Sequence, residues 1–450
     1  MRLRLLPALF LAVPLAAQQP VADRYRDVAN RIIAAALADS TGAWNRLAEF
    51  TDYSGPRLAG SANLERGIDW VLARMKEDGL ASVRGEPAMV PRWVRGRESI
   101  TMQAPRVADV PMLGLGGSIG TPAGGITAEV LVVSSFDELS KRAGEANGKI
   151  VLFDVPFTNY GETVQYRSNG AIAAARLGAV ASLIRAVGPW GLRTPHTGAM
   201  RYDSTVTRIP AAAIPLEDAT MLHRMQNRGT KVVLTIQMEA QTLPDSPSRN
   251  PMGELTGREK PNEIVAIGGH IDSWDVGVGA MDDAGGIVVA WEAVRLLKKL
   301  GLTPRRSIRV VGWVNEENGG RGGSAYRDAH ATEAHSLLIE SDAGVFAPLG
   351  FGFTGSDSAR VIVKQIGSLL DRIGAGRIGA SGGGADIGPL MSTGVPGMGL
   401  DVEGSKYFVY HHTPADTPDK LSPADMQKCV AAFAVMAYIV ADLPDMLPRK

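Results

Sequence analysis

Three segments that read as β-strands run into side chains able to hold a metal ion. EIVAIGG leads into His270-Ile271-Asp272, SIRVVGWV leads into Asn315-Glu316-Glu317, and SLLIES leads into Asp342. Between the first two, GAMDDAGG puts Asp282 and Asp283 in a glycine-rich loop that opens a helix. Late in the chain, YHHTPADT supplies His411 and His412. Each residue has an ordinary alternative. Asp282 or Asp283 could cap the following helix, Glu316 and Glu317 could be solvated loop charges, and the two histidines could be surface imidazoles. Such roles do not require all of them together. A zinc ion takes nitrogen and oxygen ligands. A two-metal hydrolytic centre uses about six, with one carboxylate bridging ions roughly 3.5–4 Å apart. A further carboxylate must stay free as the base. Imidazoles and carboxylates gathered at strand ends meet that need, and no Ser-His-Asp arrangement competes.

The elements that must position these residues follow from the pattern around them. Ligands of open α/β sheets collect at the carboxyl ends of the strands. From about residue 247 onward, strands alternate with helices: EIVAIGG, GIVVAWEAVRLLKKL, SIRVVGWV, a further helix, then SLLIES. This predicts an α/β fold with a mostly parallel sheet and helices on its faces. Upstream, residues 22–38 have helical spacing, DYSGPRLAGS is a turn-rich loop, and residues 64–79 read as a helix stopped by glycine. From about 126 to 238 the chain changes to short strands (AEVLVVSS, GKIVLFDV, ASLIRAV, KVVLTIQM) with one helix at 172–177. That stretch reads as a self-contained insert, whose two histidines, His196 and His223, lack clustered carboxylate partners. The segment MLGLGGSIGTPAGG before it reads as a linker. It is no dinucleotide fingerprint, because Ile119 stands where a third glycine is required and no helical pattern follows. The expected division is 18–117 and 246–450 for the main domain, the latter part carrying the candidate site, with the insert at 118–245.

Composition narrows the possible functions. Lys+Arg and Asp+Glu are equal at 47 each, so the basic surplus of a nucleic-acid binder is absent. The start, MRLRLLPALFLAVPLAAQQP, carries two arginines and then an apolar run too short to span a bilayer, ending in small residues. A signal peptide over residues 1–17 is expected, making the protein secreted or periplasmic without a membrane span after cleavage; an uncleaved anchor is the alternative. The apolar stretch 430–441 is also short for a span and reads as a buried helix. Cys429 is the only cysteine, which excludes an internal disulfide and thiolate-clustered metal sites.

Taken together, GGHIDSWDVGVGAMDDAGG, NEENGG, ESDAG and YHHTPADT resemble the co-catalytic two-zinc exopeptidases, a family that includes bacterial secreted aminopeptidases and glutamate carboxypeptidases. The resemblance extends to TDYSGPRLAGS, VPRWVRGRE, MLGLGGSIGTP and PHTG, and so covers nearly the whole chain after the leader. It implies two zinc ions, with cobalt or manganese as possible substitutes. His270 and Asp342 would bind one ion, Glu317 and His412 the other, and Asp282 both. Asp272 would accept a hydrogen bond from His270 and orient it, Glu316 would be the general base, and a cis peptide would join Asp282 to Asp283. Ions so held acidify a water and polarise the scissile carbonyl. The insert would be a protease-associated domain, the substrate a peptide, and a homodimer is plausible. His411 is a candidate donor to the transition state. The loop SGGGADIGPL, with Gly383, Gly384 and Asp386, would line the substrate pocket, but Ile387 replaces the histidine of some relatives, so their side-chain preference does not transfer. The resemblance favours hydrolysis of dipeptides or short peptides with both ends free, as by a carboxypeptidase or dipeptidase, with aminopeptidase action as the alternative. A non-catalytic peptide-binding relative and a single-zinc transferase of glutaminyl-cyclase type are the remaining alternatives.

Overall fold

EIVAIGG has no polar face to offer solvent, and the strand containing it, Lys260–His270, lies within a sheet covered on both sides. Val265 and Ile267 enter one apolar layer, Ile264 and Ala266 the other. Its neighbours repeat the alternation. Strand Arg306–Trp313 sends Ile308 and Val310 one way and Val311 and Trp313 the other, and Ala334–Glu340 divides Leu337 and Ile339 from Leu338. A period of two between two apolar layers is what a parallel strand sandwiched by helices requires.

The computed structural model describes residues 20–449, so the expected signal peptide at 1–17 lies outside the described residues. Edge to edge, the sheet runs Ala81–Val94, Gln241–Leu255, Arg306–Trp313, Lys260–His270, Ala334–Glu340, Gly397–Val402, Pro348–Thr354, Arg377–Gly379. The central four strands are parallel, but both flanks contain antiparallel pairs. The fold is therefore mixed α/β, with the expected parallel arrangement at its centre. The register aligns Gly268 with both Val311 and Glu340. That brings the ends at His270, Asn315 and Asp342 to one rim.

Helices Val21–Ala38, Gly285–Lys299 and Pro423–Asp442 cover one face, and Arg321–His330 the other. The helix Pro423–Asp442 begins with the Ser422 side chain accepting from Asp425 N and proline in the first turn, as helix starts prefer. Its length and hydropathy would suit a membrane span, yet its most apolar window is 83% buried within the protein. It is a core helix, as the sequence predicts, and Cys429 is buried in it.

A second eight-stranded sheet is built from Ala108–Val110, Glu98–Ala104, Val233–Met238, Ile126–Val133, Ile150–Phe153, Ala181–Arg185, Ala211–Ile214 and Leu113–Gly114, in that spatial order. It draws on residues from Glu98 onward, ahead of position 118. The supposed linker is part of it, since Leu113 and Gly114 pair with Ala213 and Ala212. Gly116 there serves close packing, because a Cβ on it would lie 2.0 Å from the Trp274 ring. The helix expected at 172–177 spans Tyr160–Arg176, and further helices stand at Phe136–Lys141 and Leu216–Asn227. Apolar periodicity marks mainly the end of the long helix, because its first turns bury Thr163 and Arg167 instead of aliphatic residues. His223 also departs from expectation. Its Nδ1 donates to the Asp154 carboxylate at 2.8 Å, a pairing across 69 positions that spacing does not reveal.

Candidate metal centre

His270 is the last residue of its strand, and its side chain is fully buried. Its Nε2 lies 3.1 Å from Asp282 Oδ1 and 3.3 Å from Asp342 Oδ1. On the far side of the same carboxylate, Asp282 Oδ2 lies 3.3 Å from His412 Nε2 and 3.5 Å from His411 Nε2, and His412 Nε2 is 3.0 Å from Glu317 Oε2. Asp282 thus faces two half-sites, His270 with Asp342 and His412 with Glu317. Ligand atoms of His270, Asp282 and Asp342 all lie within 4.8 Å of one another, as do those of Asp282, His411 and His412.

The surrounding chain explains how Asp282 is aimed. The Asp282–Asp283 peptide is cis, as the sequence resemblance implies. Asp416 accepts from Met281 N at 2.7 Å and from Asp282 N at 3.1 Å. Asp283 turns away from the cluster, accepting from His270 N and Gly286 N at 3.1 Å each, and so ties the strand end to the helix start. Arg57 is fully buried and donates to the carbonyls of Ile271 at 2.9 Å and Gly279 at 3.2 Å, clamping the loop between His270 and Asp282.

Asp272 differs from expectation. The acceptor for His270 Nδ1 is the main-chain oxygen of Asp272, at 3.0 Å, while the carboxylate is 3.7 Å away. That carboxylate accepts from Glu316 N at 3.1 Å and so positions the proposed base. The substrate-loop residues also differ. Gly383, Gly384 and Asp386 are not among the residues walling the cavity at the cluster. Glu340 draws that loop inward by accepting from Asp386 N and Ile387 N, at 3.1 and 2.9 Å. A Cβ on Gly384 would lie 2.0 Å from Glu340 Cδ, so glycine is needed for this approach. Ile387 packs in the apolar layer with Trp313 and Leu390, where an imidazole would have to be buried.

The electrostatics call for cations. Burial would raise Asp282, but the His270 and His412 imidazoles beside it outweigh burial and hold its carboxyl well below the usual range. Burial and the Asp342 charge push Glu316 well above that range, and burial and Asp282 push Glu317 up to about 7. Burial opposes charge on His412, yet Glu317 and Asp282 raise it to about 10. Carboxylates this crowded and this dry are stabilised in their charged form by a cation. The buried Asp282 Oδ2 also lacks a protein hydrogen-bond donor. An all N/O donor set of imidazoles and carboxylates fits a zinc-type ion. His411 stacks on His412 at 3.5 Å, and burial together with His412 pushes its imidazole well down.

A cavity of about 260 Å³ opens on Glu316, Asp342 and His412. Its opposite wall includes Tyr160 and Arg167, which come from the second sheet's long helix, together with Tyr407 and Phe408. Sequence reasoning assigned no role to Asp416, Arg57, Arg167, Tyr160 or Tyr407. The first two stand within the quoted motifs YHHTPADT and TDYSGPRLAGS, which was the available signal.

A model of peptidase family M28 matches residues 250–437. The chain is 47% identical to carboxypeptidase Q of Mus musculus over 95% of this chain and 92% of that protein. It is likewise 47% identical to carboxypeptidase Q of Homo sapiens, over 94% and 91%. A peptidase M28 precursor from Shewanella amazonensis superposes with TM-score 0.91 at 35% identity, covering 95% of this chain and 99% of that one. BSAP, a zinc aminopeptidase from Bacillus subtilis, shares the fold at TM-score 0.67 and 20% identity, covering 88% and 93%. With these relatives, the protein is a metal-dependent exopeptidase. The chain belongs to peptidase family M28 and is carboxypeptidase Q-like along nearly its whole length.

Proposed function

We propose that the protein hydrolyses dipeptides or short peptides with two zinc ions, for which cobalt or manganese can substitute. The observation that carries this reading is the placement of Asp282, one oxygen toward His270 and the other toward His412. His270 and Asp342 would hold one ion, Glu317 and His412 the other, and Asp282 would bridge them. When bound, the ions acidify a water and polarise the scissile carbonyl.

The chain's own groups carry the proton transfers. Glu316, held through its N–H by Asp272, takes the proton of the attacking water and passes it to the leaving amine. Asp416 and Arg57 keep the Asp282 loop in place. We assign the second sheet to a protease-associated insert and begin it near Glu98 rather than at 118, because the strands from Glu98 onward pair within that sheet. The residue 1–17 pattern supports export.

The test is hydrolysis of dipeptides with both ends free by wild type and Glu316→Ala, with zinc measured on each. Turnover at about two zincs per chain, falling by at least about 10²-fold in Glu316→Ala with zinc retained, is expected. A fully zinc-loaded wild type without turnover would point to a peptide-binding relative, and one zinc per chain would refute the two-ion reading.

A further inference from the structure

Among the described residues, the chain crosses between the two sheets twice, and the crossings are neighbours. Val94 pairs with Gln241 at the end of the first sheet, and Glu98 pairs with Met238 at the start of the second. Between those pairs, Arg95, Gly96 and Arg97 face only Glu239 and Ala240, so one strand carries an extra residue. Gly96 has φ 68°, the left-handed glycine of a β-bulge, which bends a strand pair. A Cβ on it would lie 2.5 Å from Glu239 Cβ. Main-chain pairing lapses here as well. Glu239 N donates to Arg97 O, but Arg97 N donates to the Glu239 carboxylate, each at 3.0 Å. A short segment that absorbs a bend between two packed bodies is where hinges form.

Beside the metal centre the same two bodies meet along a seam. Thr197 bonds the His412 main chain and Nδ1 across it. Tyr160 stacks on Phe408 with ring centres 4.9 Å apart, so both bodies wall the cavity. Trp274, in the loop after His270, packs among apolar side chains of the second sheet, its ring 5.6 Å from that of His412. The seam is incompletely satisfied. Trp274 Nε1, His196 Nδ1 and His411 Nδ1 are buried along it without a protein partner. Such groups regain hydrogen bonds to water when a seam opens, so their desolvation opposes docking.

A metal ion on His412 offsets that opposition, on the two-zinc reading, on which this inference rests. A histidine ligand holds metal best when its other ring nitrogen is tied down, and Thr197 reaches Nδ1 of His412 only across the closed seam. Coupling between two binding events is reciprocal. Whatever factor closure adds to metal affinity, metal adds to closure. We propose that the two bodies hinge at the Gly96 bulge and that metal at His412 holds them docked. The walled cavity is then assembled in the metal-loaded enzyme, and the seam opens when metal is lost.

The experiment is amide hydrogen exchange on the full chain, with zinc and after chelation. Thr197 N–H, bonded across the seam to His412 O, should exchange about tenfold or more slowly with zinc. Met200 N–H, bonded to Gly116 O within the second body at 3.0 Å, should exchange equally in both states. A Thr197 rate indifferent to zinc, while Met281 N–H on the Asp282 loop slows, overturns the proposal and leaves the metal reading standing. Thr197 and Met200 slowing together overturns it too, since that marks general stabilisation. Slowing at none of the three removes the metal reading as well. Gly96→Ala forces a Cβ against Glu239 at a left-handed position. It should weaken zinc retention about fivefold or more in a chelator competition, although the neighbour it strikes is no candidate ligand. Retention equal to wild type overturns the hinge. Should that variant fail to fold, the exchange comparison on wild type decides alone.

Discussion

His412 and Thr197 hold each other by two hydrogen bonds across 215 positions of sequence. His412 Nδ1 lies 3.2 Å from the Thr197 carbonyl oxygen, and Thr197 N donates to the His412 carbonyl at 3.1 Å. A carbonyl only accepts, so Nδ1 carries the proton and Nε2 is the nitrogen turned to Asp282 and Glu317. A loop of the second sheet thus orients a candidate metal ligand of the first.

Arg95 braces that loop. It donates to Gly114 O at 2.6 Å and Thr197 Oγ1 at 3.3 Å while pairing with Asp275 at 2.6 Å. Arg95→Met should cost about 3 kcal/mol in urea unfolding, because Asp275 and Glu98 lose their cation. It should also weaken zinc retention about tenfold or more in a chelator competition. Unchanged retention would mean the brace does not reach His412.

Asp416 satisfies two buried N–H groups, those of Met281 and Asp282. Asp416→Ala should destabilise by about 2–5 kcal/mol and lower metal affinity, and Asp416→Asn should do less on both counts because one acceptor oxygen remains. Equal unfolding curves for the two variants would argue against this role.

Removing metal should act on stability as well as activity. With burial and mutual repulsion raising Glu316 and Glu317, the centre is less stable without cations. Chelation should abolish turnover and lower Tm by several degrees, and added zinc should restore both. A Tm indifferent to chelator and zinc would count against a metal held at this cluster.

His335 gives a pH prediction away from the centre. Burial pushes its imidazole down to about 4, against about 6.5 in the unfolded chain. Between those values the unfolded state binds more protons, so stability is fully present above about 6.5 and falls as pH drops towards 4. The contribution lost between pH 7 and 5 is roughly 2 kcal/mol. His335→Gln, able to keep a bond to the Tyr326 hydroxyl, now 3.0 Å from Nε2, should flatten that part of the urea-midpoint profile. An unchanged profile would show that His335 takes up protons equally in the folded and unfolded states.

What the sequence by itself determined was local. Apolar runs bounded by turns marked the strands ending near His270, Glu316 and Asp342, and the rule that α/β sites lie at strand ends grouped those residues before any contact was known. The core helix near Cys429 was equally legible, since the continuous apolar run at 430–441 is too short for a span. Tertiary structure decided whatever depends on a partner distant in the chain. Asp272 serves Glu316 through its carboxylate and His270 through its backbone, a division no spacing encodes. Asp386 is drawn away from the cavity wall because Glu340 takes its loop's N–H groups. Tyr160 and Arg167 reach the cavity only because the second sheet docks against the first. Hydrophobic periodicity reports how a segment meets water, whereas a polar side chain's role is set by the group facing it, and that group is chosen by packing.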